Sequence, residues 1–269
     1  MLGLMGIGAS FINAAGRGGK KQENVLSFIS GDADLVIPRL TCEGEIVIST
    51  IKGGVAHTDT YTDIDNDTVS VSNDANTLVT ITGNVNLIAF YDLDEDPETP
   101  VNISDLNVKK CKSLTILNIA WCQNLTSLDL SGNTALKELY CYNCTGLTSL
   151  DLSANTALTY LDCAGCTGLT SLDLSANTEL DELYCNGCTG LTSLDLSANT
   201  ELDELYCDGC TGLTTIKYPA TNSSVSSTIA YAITRADAAD GTVYTDSEGA
   251  YYSTIADAAT AKGWTIEQL

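Results

Sequence analysis

From residue 103 onward the hydrophobic and polar positions keep a fixed beat. Units open at Ile103, Leu114, Leu125, Leu136, Leu147, Leu158, Leu169, Leu180, Leu191 and Leu202, 11 residues apart each time, and Leu213 opens a partial unit. Each unit is written LxxLxLxxNxx or LxxLxCxxCxx, and from Leu125 the two forms alternate strictly. The underlying period is therefore 22: LTSLDLSANTELDELYCNGCTG, from Leu169, is followed by a near copy from Leu191. A repeat of this length is the signature of a solenoid, whose coils bury their apolar positions against their neighbours. Positions 4 and 6 are apolar around an outward position 5, the period-two pattern of a half-buried strand. Position 1 adds a further core Leu, and Asn at position 9 bonds backbone groups in a turn. Each 22-residue coil thus predicts two short strands, one for each of two parallel sheets, and five coils span roughly 24 Å.

Around the repeats the pattern changes. Runs rich in β-formers occupy 24–29, 34–37, 45–51, 68–72 and 78–81, separated by Gly, Asn and Asp, which predicts a small antiparallel β-sandwich. Val85, Ile88 and Phe90 carry a degenerate form of the repeat, interrupted by the acidic stretch 94–100. After the repeats, Ala-rich segments near 223–239 and 253–262 predict helices, with a strand at 242–245 between them and Trp264 and the Tyr251–Tyr252 pair available to cover the last coil. The chain is expected to be mainly β, with five parts: an apolar Gly-rich segment (1–22), a β-sandwich-like domain (23–91), an acidic linker (92–102), the solenoid (103–218) and a small α/β C-terminal cap (219–269).

The LxxLxLxxN unit resembles leucine-rich-repeat proteins. The alternation of LTSLDLSxNTxL with LxxLxCxxC looks like their short nested class, often called IRREKO-type, common in bacterial surface and secreted proteins and in phages of gut bacteria. The likeness covers residues 103–216, and the upstream runs GEIVIST and TLVTITGNV resemble the β-sandwich that often precedes such repeats. This chain departs from the commoner pattern by placing Cys at position 9 of every second unit. The resemblance implies recognition of a protein or glycan rather than catalysis.

Charge narrows the partners. With 35 acidic and 12 basic residues the formal charge is −23, a balance that repels nucleic-acid phosphates and anionic lipid. No basic residue lies between Lys137 and Lys217, a stretch holding 12 acids. Residues 1–16 are uncharged and Gly-rich, and Arg17, Lys20 and Lys21 follow them. That order reverses a secretory signal, and the run is shorter than the roughly 20 residues of a spanning helix. An atypical export signal, a membrane-facing anchor and a segment docking into an assembly partner all stay open for residues 1–22.

Four CxxC motifs, at Cys141/Cys144, Cys163/Cys166, Cys185/Cys188 and Cys207/Cys210, have the look of zinc or redox sites. Their register places the first Cys at core position 6 and the second at the Asn position, so they are expected to pack as small hydrophobes. Asp129, Asp151, Asp173 and Asp195 stack at outward position 5, flanked by serines that relieve their repulsion. Calcium is the one candidate cofactor. Asp63, Asp65, Asp67 and Asp74 match positions 1, 3, 5 and 12 of a calcium loop, although Thr68 stands where that loop needs Gly and Asp74 replaces its Glu. Asp92, Asp94 and Asp96 with Glu95 and Glu98 form a second acidic candidate.

The other sheet carries the more distinctive surface. Its outward positions hold Glu138, Tyr140, Tyr160, Asp162, Glu182, Tyr184, Glu204 and Tyr206, rigid rings with polar tips beside orienting carboxylates. His57, the sole histidine, falls in a stretch that reads as a polar loop, and no nucleophile or phosphate-binding motif accompanies it. The expected function is non-enzymatic recognition or adhesion through the Tyr/Glu face, on a cell surface, outside the cell or on a virion, with a cytoplasmic location left open. The alternatives are a structural component of a virion or other surface assembly anchored by residues 1–22 and, last, a glycan-active enzyme.

Overall fold

The computed structural model describes residues 25–31, 35–90, 102–207, 209–218 and 265–268. The segment 1–22, the acidic stretch 92–98 and the predicted helices of the tail lie outside the described residues. Within them the chain is all β: β1 (Val25–Ser30), β2 (Leu35–Lys52), β3 (Val55–Thr62), β4 (Asp67–Val71), β5 (Thr77–Ala89), β6 (Ile103–Asn107), β7 (Ile116–Asn118), β8 (Glu138–Tyr140), β9 (Tyr160–Asp162), β10 (Glu182–Tyr184), β11 (Ser193–Asp195), β12 (Glu204–Tyr206), β13 (Thr215–Tyr218) and β14 (Thr265–Gln268).

The expected antiparallel strands of the N-terminal region are present, with different bounds and a different assembly. The runs at 34–37 and 45–51 belong to one long strand, β2, which pairs with β3, β4 and β5. Pro38 lies where the β2–β4 register shifts, between Ile37 and Leu40, the position where a strand tolerates a residue without an N–H. The segment around His57, which reads as a loop in the sequence, is strand β3. The two-residue turn Gly53–Gly54, both at positive φ, closes a hairpin that pairs Lys52 with Val55 and Thr50 with His57. The strand is exposed along nearly all its length, so it lacks the apolar alternation that marks a half-buried strand.

These strands do not form two hydrogen-bonded sheets; one sheet runs from them straight into the solenoid, in the order β12-β10-β9-β8-β7-β5-β1-β6. The join is a bend. Between Glu43 and Val47 the β2–β5 register slips, with Gly44 at φ 74° and Gly83 at φ 136°. A Cβ on Gly83 would meet the Glu45 carbonyl at 2.7 Å, so the two backbones cross there too closely for any other residue. Beyond the bend, Leu87, Ile88 and Ala89 pair in parallel with Ile116, Leu117 and Asn118. Val85, Ile88 and Phe90 are buried in the register of positions 1, 4 and 6, and Phe28 packs edge-on against Phe90 at 4.7 Å between centroids. The degenerate repeat is thus a first half-coil, and it covers the open end of the stack.

From β7 the coils repeat. Leucines at positions 1, 4 and 6 and the residue at position 9 are buried in every coil. Each buried Leu contributes roughly 2 kcal/mol, a gain available only when coils stack. The two halves of a coil bond to their neighbours differently. On the Tyr/Glu side β7, β8, β9, β10 and β12 form an unbroken parallel ladder. On the Ser/Asp side the predicted second sheet is confined to the C-terminal coils: β11 pairs with β13 and β13 with β14, preceded by a single bridge from Asp173 to Asp195. Asp faces Asp along that row, and like charges opposed across strands weaken pairing. The ladder forms where Lys217 comes opposite Asp195 instead. The closing strand β14 extends this same sheet.

The halves also differ at position 8. In the halves that open at Leu114, Leu136, Leu158, Leu180 and Leu202 that residue is left-handed: Trp121, Asn143, Gly165, Gly187 and Gly209 have φ between 56° and 73°. In the Asn-bearing halves Ala154, Ala176 and Ala198 occupy it without positive φ.

Candidate functional site

Buried polar rows on either side bond each coil to the one before it. Asn133, Asn155, Asn177 and Asn199 are fully buried, and each side-chain amide donates to two carbonyls of the preceding coil; for Asn177 these are Leu152 at 3.2 Å and Asn155 at 2.9 Å. A flipped amide would aim its oxygen at both carbonyls, so the orientation is fixed. In the alternate halves the second Cys of each CxxC takes over one of these bonds. Cys144, Cys166, Cys188 and Cys210 donate through Sγ to the carbonyls of Ile119, Cys141, Cys163 and Cys185, each at 3.0 Å. All 11 cysteines are free and buried. Burial pushes the Cys111 and Cys122 thiols up to about 12, and contact with the next thiol together with burial holds Cys141, Cys163 and Cys185 well above the ordinary value. These five thiols are packed and protonated.

On the Ser/Asp face each carboxylate closes a local turn. Asp129, Asp151, Asp173 and Asp195 accept the N–H of Ser131, Ser153, Ser175 and Ser197, and Asp129 and Asp195 also accept the serine hydroxyl. Lys109 bonds Asp129 at 2.8 Å. These bonds hold the four acids below the usual carboxylate range. The flanking serines therefore do relieve the row.

The calcium-loop candidates do not converge. Asp63 Oδ1 accepts the N–H of Gly44 at 2.7 Å, while Asp74 accepts Gly53 and Gly54 N–H at 3.0 and 3.2 Å. Gly44 and Gly53 bracket the last stretch of β2, so these two carboxylates sit at opposite ends of a hairpin roughly 30 Å long. Asp63 and Asp74 serve as turn acceptors there. Among the described residues no group of three or more His, Cys, Asp and Glu is placed to hold a metal ion.

On β8, β9, β10 and β12 the central Leu139, Leu161, Leu183 and Leu205 point into the core, and the residues either side are half-buried. All eight residues predicted for this face therefore lie on one parallel sheet. Their outward side chains interlock. Tyr140 and Tyr160 rings lie 4.7 Å apart, Tyr160 and Tyr184 5.4 Å, and Tyr184 and Tyr206 stack at 4.6 Å with 9° between planes. Three coils carry Glu at position 3 and Tyr at position 5. The coil at Tyr160 reverses this, with Asp162 at position 5, and the Tyr160 ring crosses the diagonal to keep the stack continuous. Asp162 Oδ1 accepts the Ala164 N–H at 3.0 Å, but burial dominates and pushes its carboxyl up to about 6.

The carboxylates anchor the phenols. Tyr140 Oη donates to Glu138 at 3.0 Å, and Tyr184 Oη lies 3.1 Å from Glu182 and 3.0 Å from Glu204. Glu182 and Glu204 face each other in register, so the Tyr184 proton sits between two opposed carboxylates. Burial, and next the acids beside them, raise the Tyr140 and Tyr160 phenols well above the ordinary value. Composition alone left this stacking invisible; the diagonal contact depends on the register between coils.

Two concavities lie away from this face. One, about 350 Å³, sits among Ser171, Asp173, Ser193 and Asp195. The other, about 470 Å³, lies beside Lys109, Lys110 and Lys112 over Ser131 and Gly132. Both are lined from the Ser/Asp half of the coils, and neither includes a residue of the Tyr/Glu face. His57 is exposed on β3. No helix among the described residues is long and apolar enough to cross a membrane.

No family model and no curated protein matches the chain. Among solved structures it is similar to the functional domain of InlJ from Listeria monocytogenes, described as including a cysteine ladder, at 35% sequence identity and a TM-score of 0.35. The match covers 44% of this chain and 29% of that one, so the chain spans less than a third of that protein's length.

Proposed function

We propose that the chain is a non-enzymatic recognition module, displayed outside the cell, that binds a protein or glycan through its Tyr/Glu face. The observation that carries this reading is the continuous stack Tyr140–Tyr160–Tyr184–Tyr206, held by hydrogen bonds to Glu138, Glu182 and Glu204 on a rigid parallel sheet. Rings restrained in this way lose little side-chain entropy when a partner lands on them. Their burial of one another already accounts for part of their area, yet all remain half-buried rather than covered. Tyrosine arrays of this kind supply large contact area with few rotatable bonds. The 11 free thiols are compatible with an oxidising exterior because each is buried.

The test is a glycan-array and surface-protein binding screen with the full chain and with the Tyr184→Ala/Tyr206→Ala variant. A ligand bound by the parent and lost by a variant that unfolds within a few degrees of it supports the reading. A ligand held equally by both overturns it.

A further inference from the structure

The Tyr/Glu face is almost entirely a surface of hydrogen-bond acceptors. Its two outward rows, Glu138/Tyr160/Glu182/Glu204 and Tyr140/Asp162/Tyr184/Tyr206, contain no ammonium, guanidinium or amide. Phenol hydroxyls are the sole side-chain donors on these rows, and those of Tyr140 and Tyr184 are turned onto the neighbouring carboxylates. Ionised carboxylates accept only. The ring faces, meanwhile, are turned toward one another along the stack. A sugar ring docks on an aromatic platform by covering a free ring face, and its hydroxyls need donors as well as acceptors. Within this stack the inner ring faces are taken up by neighbouring rings, and two of the four phenol donors are already engaged. Ammonium and guanidinium groups have the complementary inventory, because they donate and accept nothing. Charge points the same way, since no basic residue interrupts the sequence from Glu138 to Thr215 and the whole chain carries −23.

We infer that the partner of this face is a protein segment rich in Lys or Arg, laid across β8, β9, β10 and β12 so that its cationic side chains meet Glu138, Glu182, Glu204 and Asp162 at the coil spacing. This rests on the recognition role proposed for the same face and narrows its ligand class. The carboxylates stand on successive strands about 4.8 Å apart, so a segment crossing the strands meets a new carboxylate at each step. Guanidinium suits the site better than ammonium, because its planar fork binds carboxylates bidentately and is more weakly hydrated.

The experiment titrates a hexa-arginine peptide, a hexa-glutamine peptide and a neutral glycan panel into the full chain at about 150 mM salt, where contacts beyond roughly 8 Å are screened. Two variants remove the same charge from opposite faces: Glu182→Gln/Glu204→Gln, which keeps the acceptors of the Tyr184 hydroxyl, and Asp151→Asn/Asp173→Asn. The expected result is arginine-peptide binding that falls tenfold or more in the first variant and less than twofold in the second, with no binding of hexa-glutamine. Equal falls in both variants mean attraction to net charge alone and overturn the inference. Absence of arginine-peptide binding overturns it too. If a neutral glycan or an uncharged protein segment binds instead and is lost with Tyr184→Ala/Tyr206→Ala, the cationic assignment fails while the recognition role stands.

Discussion

Cys188 donates its thiol hydrogen to the carbonyl of Cys163, 3.0 Å away and one coil earlier. Asn177 makes the equivalent bond to Leu152 in the other half-coil and adds a second, to Asn155. Two residues of different chemistry thus solve the same problem: a carbonyl that faces the core of the next coil needs a donor.

The two solutions should differ in cost when removed. Asn177→Ala leaves the Leu152 and Asn155 carbonyls buried without that donor and is expected to destabilise by about 2–5 kcal/mol. Cys188→Ala strips one donor and one sulfur atom, and about 1–3 kcal/mol is expected. Urea unfolding measures both. A larger loss for Cys188→Ala than for Asn177→Ala would contradict the ladder as described.

Position 8 separates the half-coils by backbone conformation. Gly187→Ala places a side chain at φ 72° and should cost about 1–2 kcal/mol, whereas Ala176→Gly costs less than about 1 kcal/mol. Gly132 is the exception within the Asn-bearing halves. A Cβ there would strike the Lys109 carbonyl at 1.7 Å, so Gly132→Ala is expected to lower the melting temperature clearly, although Ala is the residue at this position in the three following coils.

Asp162 gives a pH signature of its own. Its folded-state pKa lies near 6, above the value of about 4 for an unfolded aspartate, so the folded chain holds the proton more tightly. The ionised group therefore costs stability at pH 7, and that cost disappears as the pH falls from about 6 to about 4. Asp162→Asn should be more stable than the parent at pH 7 and no more stable near pH 4. The Ser/Asp row has the opposite sign. Its lowered carboxyls contribute stability above about pH 4 and lose it on further acidification, so Asp173→Asn should be neutral or destabilising at pH 7.

Thiol chemistry should report the packing. With an aromatic disulfide reagent the native chain is expected to react slowly, because all its thiols are buried. In denaturant all 11 cysteines become reactive. A native count well above zero within minutes would place thiols at the surface.

Much of this organisation is legible before any coordinates. The 22-residue period, the inward leucines, the outward rows and the core placement of CxxC follow from strand alternation and from which residue types tolerate burial. So does Val85–Ile88–Phe90 as a degraded half-coil, because the spacing of apolar positions survives there. His57 and its strand were hidden, since an exposed edge strand has no buried face to write an apolar alternation. The calcium pattern at Asp63, Asp65, Asp67 and Asp74 was misleading for a related reason: loop spacing says nothing of whether a hairpin carries the two ends apart.

The sequence by itself determined the coil, its two chemically different faces and the residues that line each, because these depend on local alternation and burial preference. Tertiary structure decided what lies between coils. Register brought Tyr160 across the diagonal to join Tyr140 to Tyr184, put the Tyr184 proton between two facing glutamates, and limited the Ser/Asp sheet to the coils where Lys217 meets Asp195. Contacts across 22 residues depend on how closely strands approach and which charges face each other, and a repeat pattern in one dimension does not contain those distances.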